Sequence, residues 1–184
     1  MPPTIVDTLY DDTKTLVDYL GQQNEVSMRA VADTALTKSL VLAAASFYEA
    51  SIKDTIMDFA KERTGNTEAL VEFLRNKALE RQYHTYFQWD RRNANQFFSL
   101  FGSVFADHMR ELVQASDDLQ TSIAAFMELG ELRNRLAHQN FAAFVVDKTA
   151  AEIYELHKLA VAFVNELPGR LREQVMAPAA PASQ

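Results

Sequence analysis

The chain contains no cysteine. Disulfide frameworks, thiolate zinc sites and cysteine nucleophiles are excluded with it. Proline is absent from positions 4 to 167, and the five prolines stand at 2, 3, 168, 178 and 181. The five glycines are scattered singly at 21, 65, 102, 130 and 169. No glycine-rich loop exists to cradle a phosphate, and no nucleotide-binding fingerprint or serine nucleophile elbow is found. Long apolar runs are missing too. The most apolar stretch, 39–47, is about half the length a membrane span needs. The first seven residues lack the basic start and apolar centre of a secretion signal. A cytoplasmic location without membrane contact is the expectation, by elimination. Positive charge is scarce: 18 Lys and Arg face 25 Asp and Glu, a net charge of −7. Such a chain does not attract nucleic acid through its global field, so any attraction must be local.

What is present is a helix-forming sequence of 184 residues, 48% hydrophobic and 23% charged. It is long enough to bury one core unaided. Few breakers, many Ala and Leu, and apolar positions at three- and four-residue steps predict an all-α bundle. Expected helices run over 5–20, stopped by Gly21; 33–63, with Leu36, Leu40, Ala43, Phe47, Ala50, Ile56 and Phe59 as its apolar stripe; and 67–79. Further ones cover 94–101, 102–114, 116–139 and 149–167, the last ended by Pro168-Gly169. The stretch 82–96 reads as irregular. A single domain over 1–176, with its centre in 35–167, is followed by a low-complexity Ala/Pro tail at 177–184, expected to be disordered.

The four histidines, His84, His108, His138 and His157, are never three to five residues apart, so a metal site is not expected. Neither composition nor motif calls for a cofactor. One segment stands out, Glu131-Leu132-Arg133-Asn134-Arg135-Leu136-Ala137-His138. Asn134 and His138 are four apart and share a helix face. Arg133 and His138 are about 140° apart around the helix and roughly 7.5 Å along it. One straight helix therefore does not aim both at one atom. Arginine's reach, a bent helix end or a second subunit must close that gap. The spacing alone is weak evidence, since chance supplies about a quarter of one such match in a chain of this composition. A basic helix end, with Arg135 and His138 favoured by the dipole, is the plain alternative.

Arg133-Asn134-x-x-x-His138 on a late helix resembles the Arg-x(4–6)-His signature of the HEPN superfamily, in the form with Asn directly after Arg. Phe47-Tyr48-Glu49-Ala50 and the run from Asn76-Lys77 through Gln82-Tyr83-His84-Thr85-Tyr86-Phe87 to Phe101-Gly102 are similar to the RiboL-PSP type of HEPN domain. The resemblance covers about 35–167. It implies a HEPN-like bundle dimerising through its motif-bearing helices, and a metal-independent endoribonuclease in a toxin or phage-defence role, with RNA as substrate and an antitoxin or defence protein as partner. His138 would act as general base or acid, Arg133 would stabilise the transition state, and Asn134 would orient the phosphate or hold the helix end. The alternative is a catalytically inactive HEPN domain serving as a binding or dimerisation module. HEPN toxins paired with a nucleotidyltransferase antitoxin usually carry Tyr two residues after the His. Asn140 stands there, which weakens that particular pairing.

Three supporting features have two readings each. Glu49, a carboxylate in an apolar helix, is placed either to aim Arg133 or Arg135 or to form an ordinary salt bridge. Gly130 either permits a close helix approach or is a tolerated helix glycine costing about 1 kcal/mol. Arg75, Lys77, Arg81, Arg91 and Arg92, interleaved with Tyr83, Tyr86, Phe87 and Trp89, form either a base-stacking surface or a piece of core.

Overall fold

The computed structural model describes residues 2–65 and 67–173. Seven α-helices and no strand occur among the described residues, so the all-α expectation holds. Helix α1 spans Ile5–Gln22. Thr4 caps it reciprocally with Asp7: the Asp7 amide donates to Thr4 Oγ1 at 3.2 Å and the Thr4 amide to Asp7 Oδ2 at 2.5 Å, which satisfies two otherwise unpaired donors. The helix runs through Gly21. The reversal comes three residues later at Asn24, whose φ of 59° is one of the few left-handed conformations a non-glycine residue tolerates.

Helix α2 spans Val26–Thr64 and starts seven residues before the expected point. Gly65, with φ 61°, ends it. The buried positions Leu36, Leu40, Ala44, Tyr48 and Ile52 step by four, rotated from the stripe read off the sequence. Ala43, Phe47, Ile56 and Phe59 flank that face, and Ala50 is exposed. An 18-residue window of α2 reaches a mean hydropathy of 1.3, enough by length and composition to cross a membrane. Its Leu40, Val41, Ala44 and Ile52 are fully buried in this fold.

The expected third helix divides. Helix α3 covers Glu68–Leu74 and passes into a π-helical turn over Arg75–Leu79. Residues 80–94 are irregular apart from one 3-10 turn at Tyr83–Thr85, as expected for 82–96, which is aromatic and polar with no sustained periodicity. Helices α4 (Asn95–Ser99) and α5 (Ser103–Ala115) follow. Helix α6, Asp117–His138, is capped by Ser116, which accepts from the Leu119 amide at 3.2 Å.

Helix α7 spans Ala150–Glu173 and does not stop at Leu167. It continues through Pro168 although a proline there removes an N–H and crowds the preceding turn. What lies beyond compensates. Leu171 is fully buried, Arg170 pairs with Glu166 and Glu173, and Arg172 grips Glu62 of α2 through two nitrogens at 3.0 and 2.7 Å. The tail expected at 177–184 lies outside the described residues, as does Asn66.

The main packing is α6 on α7, α1 on α2, and α2 on both α7 and α6. Phe97, Phe98, Phe105, Phe126 and Phe163 are all at most 1% exposed and meet edge-on in the centre. Between α2 and α6, the irregular loop of 80–94 comes to lie against both helices.

Candidate functional site

A cavity of about 310 Å³ opens where that loop crosses the two helices. From α2 come Ala45, Tyr48 and Glu49; from α6 come Phe126, Gly130, Arg133 and Asn134; from the loop come Arg81, Tyr83, His84 and Trp89. Gly130 makes the crossing possible. A Cβ built there would lie 1.9 Å from Trp89 Cζ3, so only glycine lets the indole rest on the α6 backbone. Neither expected reading describes it: what approaches Gly130 is a loop tryptophan and not a second helix. The indole N–H donates to the His84 carbonyl oxygen at 3.2 Å, and its ring lies 5.8 Å from those of Tyr83 and Phe126. Tyr86 and Phe87 are core residues, Tyr86 being anchored by its hydroxyl to the Ala78 carbonyl. The aromatic run thus divides: two rings stabilise the fold and two line a cavity.

The electrostatics of the cavity are mixed. Burial pushes the Tyr83 hydroxyl well above its ordinary range, the Glu49 carboxylate adds to that shift, and the Arg133 guanidinium opposes it. Both charges therefore act on the same phenol. Glu49 is bound by Lys53, one turn away, at 2.5 Å, and makes no ion pair with Arg133 or Arg135. Arg133 Nη1 donates to the neighbouring Asn134 Oδ1 at 3.2 Å, which restrains the guanidinium at the cavity wall.

The motif residues separate along the last turn of α6. Arg133 and Asn134 are half-buried and line the cavity. His138, the final residue of α6, is exposed and does not. Arg135 turns elsewhere: its guanidinium lies over the Phe144 ring, 5.2 Å from the centroid, and 4.0 Å from Asp147. Exposed Phe141 and Val145, 52% and 71% accessible, follow just after His138. The pair thus stands as the helical wheel requires, with arginine and histidine pointing different ways from one chain. The sequence marks Arg81 as part of a basic, aromatic stretch and His84 as part of the family-like run, but not their meeting with Arg133, which comes only through the docking of the loop.

A model of the RiboL-PSP-HEPN family matches residues 7–173. The chain belongs to this family. The match begins at residue 7, so α1 is part of the HEPN unit and not an addition in front of 35–167. No curated protein and no solved structure matches the chain. In this HEPN domain, no group of three or more His, Asp or Glu placed to hold a metal ion occurs among the described residues.

Behind the cavity lies a second polar network. His157 of α7 is 1% exposed. Its Nδ1 is 2.6 Å from the Tyr48 hydroxyl and its Nε2 is 3.1 Å from Thr4 Oγ1, while Thr4 Oγ1 donates to Asp7 Oδ2 at 2.8 Å. With Thr4 donating to Asp7, the imidazole carries its proton on Nε2 and accepts from Tyr48 at Nδ1. Burial holds His157 below its ordinary value, with Asp7 partly opposing. The phenol that walls the cavity is thereby fixed from behind.

Proposed function

We propose that this HEPN protein is an endoribonuclease acting as a homodimer. RNA carries its own nucleophile, the ribose 2′-OH. In this reading His138 removes that proton, or supplies one to the departing 5′ oxygen. Arg133 binds the phosphate oxygens as charge builds on them, and it cannot lose its own proton. Asn134 holds the Arg133 guanidinium at the cavity wall. The 2′ oxygen bonds to phosphorus as the P–O5′ bond breaks, leaving a 2′,3′-cyclic phosphate and a 5′-OH. No metal ion is required, and DNA is inert for lack of the hydroxyl.

The observation that carries this reading is the exposed His138 at the end of α6, next to a cavity that holds Arg133 and Asn134. A two-fold axis near Phe141 and Val145 would bring His138 of one copy to Arg133 of the other. Membership of a family that generally includes ribonucleases supports the same reading. A role in a toxin or phage-defence system follows, with an antitoxin or defence protein restraining the activity.

The test is incubation of the purified protein with RNA in EDTA. Cleavage is expected, with cyclic-phosphate ends, and His138→Ala and Arg133→Ala are each expected to reduce it at least about 100-fold. Intact RNA under all conditions would leave the other reading, a silent HEPN domain used for binding or dimerisation.

A further inference from the structure

The cavity has more than a phosphate site needs. Arginine and histidine alone suffice to grip a phosphodiester, yet four aromatic side chains, Tyr48, Tyr83, Trp89 and Phe126, and a carboxylate are gathered beside Arg133. We propose that this cavity is a recognition pocket for one unstacked guanine base of the RNA, next to the phosphate held by Arg133. The assignment of the base to RNA rests on the ribonuclease reading.

Size comes first. At about 310 Å³ the cavity is at the small end of ligand pockets, roughly 300–1,000 Å³, and suits one flat ring system better than a peptide. The walls come second. Trp89 and Tyr83 line the cavity, with Phe126 packed behind the indole, and stacking on aromatics is how proteins hold bases splayed out of single-stranded RNA. Trp89 is already locked by Gly130 and by the His84 carbonyl, so its ring need not be ordered when the base arrives.

The polar groups select the base. Glu49 Oε1 accepts from Lys53, and Oε2 makes no hydrogen bond among the described residues. Among the described residues no ion pair engages Arg81, whose backbone takes the uncommon left-handed φ of 59° at the cavity rim. Guanine offers two adjacent donors, N1–H and N2–H, to a carboxylate. Its N7 and O6 acceptors suit an arginine fork. Adenine and cytosine each place a ring-nitrogen acceptor next to their amino group, which would face the carboxylate's lone pairs. Uracil offers a single donor between two acceptors. Glu49 and Arg81 together therefore fit guanine and disfavour the other three. With Arg81 and Arg133 against Glu49, the lining also carries a local positive excess on a chain of net charge −7.

Trp89 is the only tryptophan, so its fluorescence reports on this cavity alone. Titration with the four nucleoside 3′-monophosphates should quench it, the guanosine compound binding about ten-fold more tightly than the others. Glu49→Gln should reduce that preference to within about three-fold. Ala45→Leu, which narrows the cavity from the other wall, should weaken all four, and it serves as the second variant if Glu49→Gln does not fold. In parallel, cuts in an RNA containing every dinucleotide should fall beside guanosine. Equal quenching by all four, or none, overturns the pocket. Cleavage without base preference overturns the assignment of the base to the RNA substrate, and leaves the ribonuclease reading intact. Guanosine-selective quenching with unbiased cleavage would make a free guanine nucleotide the occupant and overturn the assignment to substrate. Selective quenching with no cleavage by the wild-type protein retains the pocket and removes the nuclease.

Discussion

Two residues show how much depends on single atoms. Gly130 has no Cβ, and a tryptophan 41 positions earlier in the chain occupies the space. Gly130→Ala would gain about 1 kcal/mol of helix propensity. Displacing a packed indole costs typically about 1–3 kcal/mol. The net expectation is a loss of stability of up to about 2 kcal/mol with a red-shifted Trp89 emission. An unchanged spectrum would show that the ring has room. His157 makes a statement about pH. Its pKa is lowered in the fold from an unfolded value near 6.5. As pH falls through that value the unfolded chain takes up a proton that the folded chain refuses. The stability is complete above pH 6.5 and is lost, by at most about 1.4 kcal/mol per pH unit, as pH falls towards the folded value. Urea midpoints at pH 7.5 and 5.5 should therefore differ, and His157→Gln should flatten the difference. The paired carboxyl of Asp7 acts at lower pH. Partial burial opposes its charge, but the hydrogen bonds from Thr4 and Tyr154 win and hold it below its ordinary value, so its contribution disappears only once pH drops below about 4.

At the scale of elements, periodicity revealed what was buried and failed where burial was absent or unusual. The middle of α2 was legible because Leu36, Leu40 and Ala44 recur in helical steps. Its first two turns were not, because Val26, Met28 and Val31 are 61–76% exposed and carry no face to read. Pro168 was misread for the opposite reason. The proline rule describes an isolated helix, whereas here Leu171 and the Arg172–Glu62 pair hold the next turn against α2. Leu171→Ala should then cost about 2–5 kcal/mol, the usual range for emptying a core position, measured by chemical denaturation. A loss below about 1 kcal/mol would mean that the turn after Pro168 is peripheral. The Arg133-Asn134-x-x-x-His138 motif was legible because it lies within one helix. The cavity was not, because its third wall is an irregular loop positioned by Trp89 on Gly130.

For the whole molecule, charge and symmetry make separate predictions. A net charge of −7 gives RNA no long-range attraction, and under the proposed function the attraction would be confined to a few side chains around one opening. With one or two phosphates engaged, the logarithm of RNA affinity should fall with the logarithm of salt at a slope no steeper than about −1.5, given about −0.7 per contact on a single strand. A slope near −4 would reveal a basic track elsewhere. Symmetry gives a complementation test. If the site combines Arg133 of one copy with His138 of the other, mixing the inactive Arg133→Ala and His138→Ala proteins should restore cleavage, because a mixed dimer contains one intact pair. Mixtures that stay inactive would mean that each copy works alone. The Thr4–His157 contact bridges 153 positions. Tyr48 is secured only when α1 and α7, far apart in sequence, have both docked on α2, so the wall of the cavity is completed late in folding.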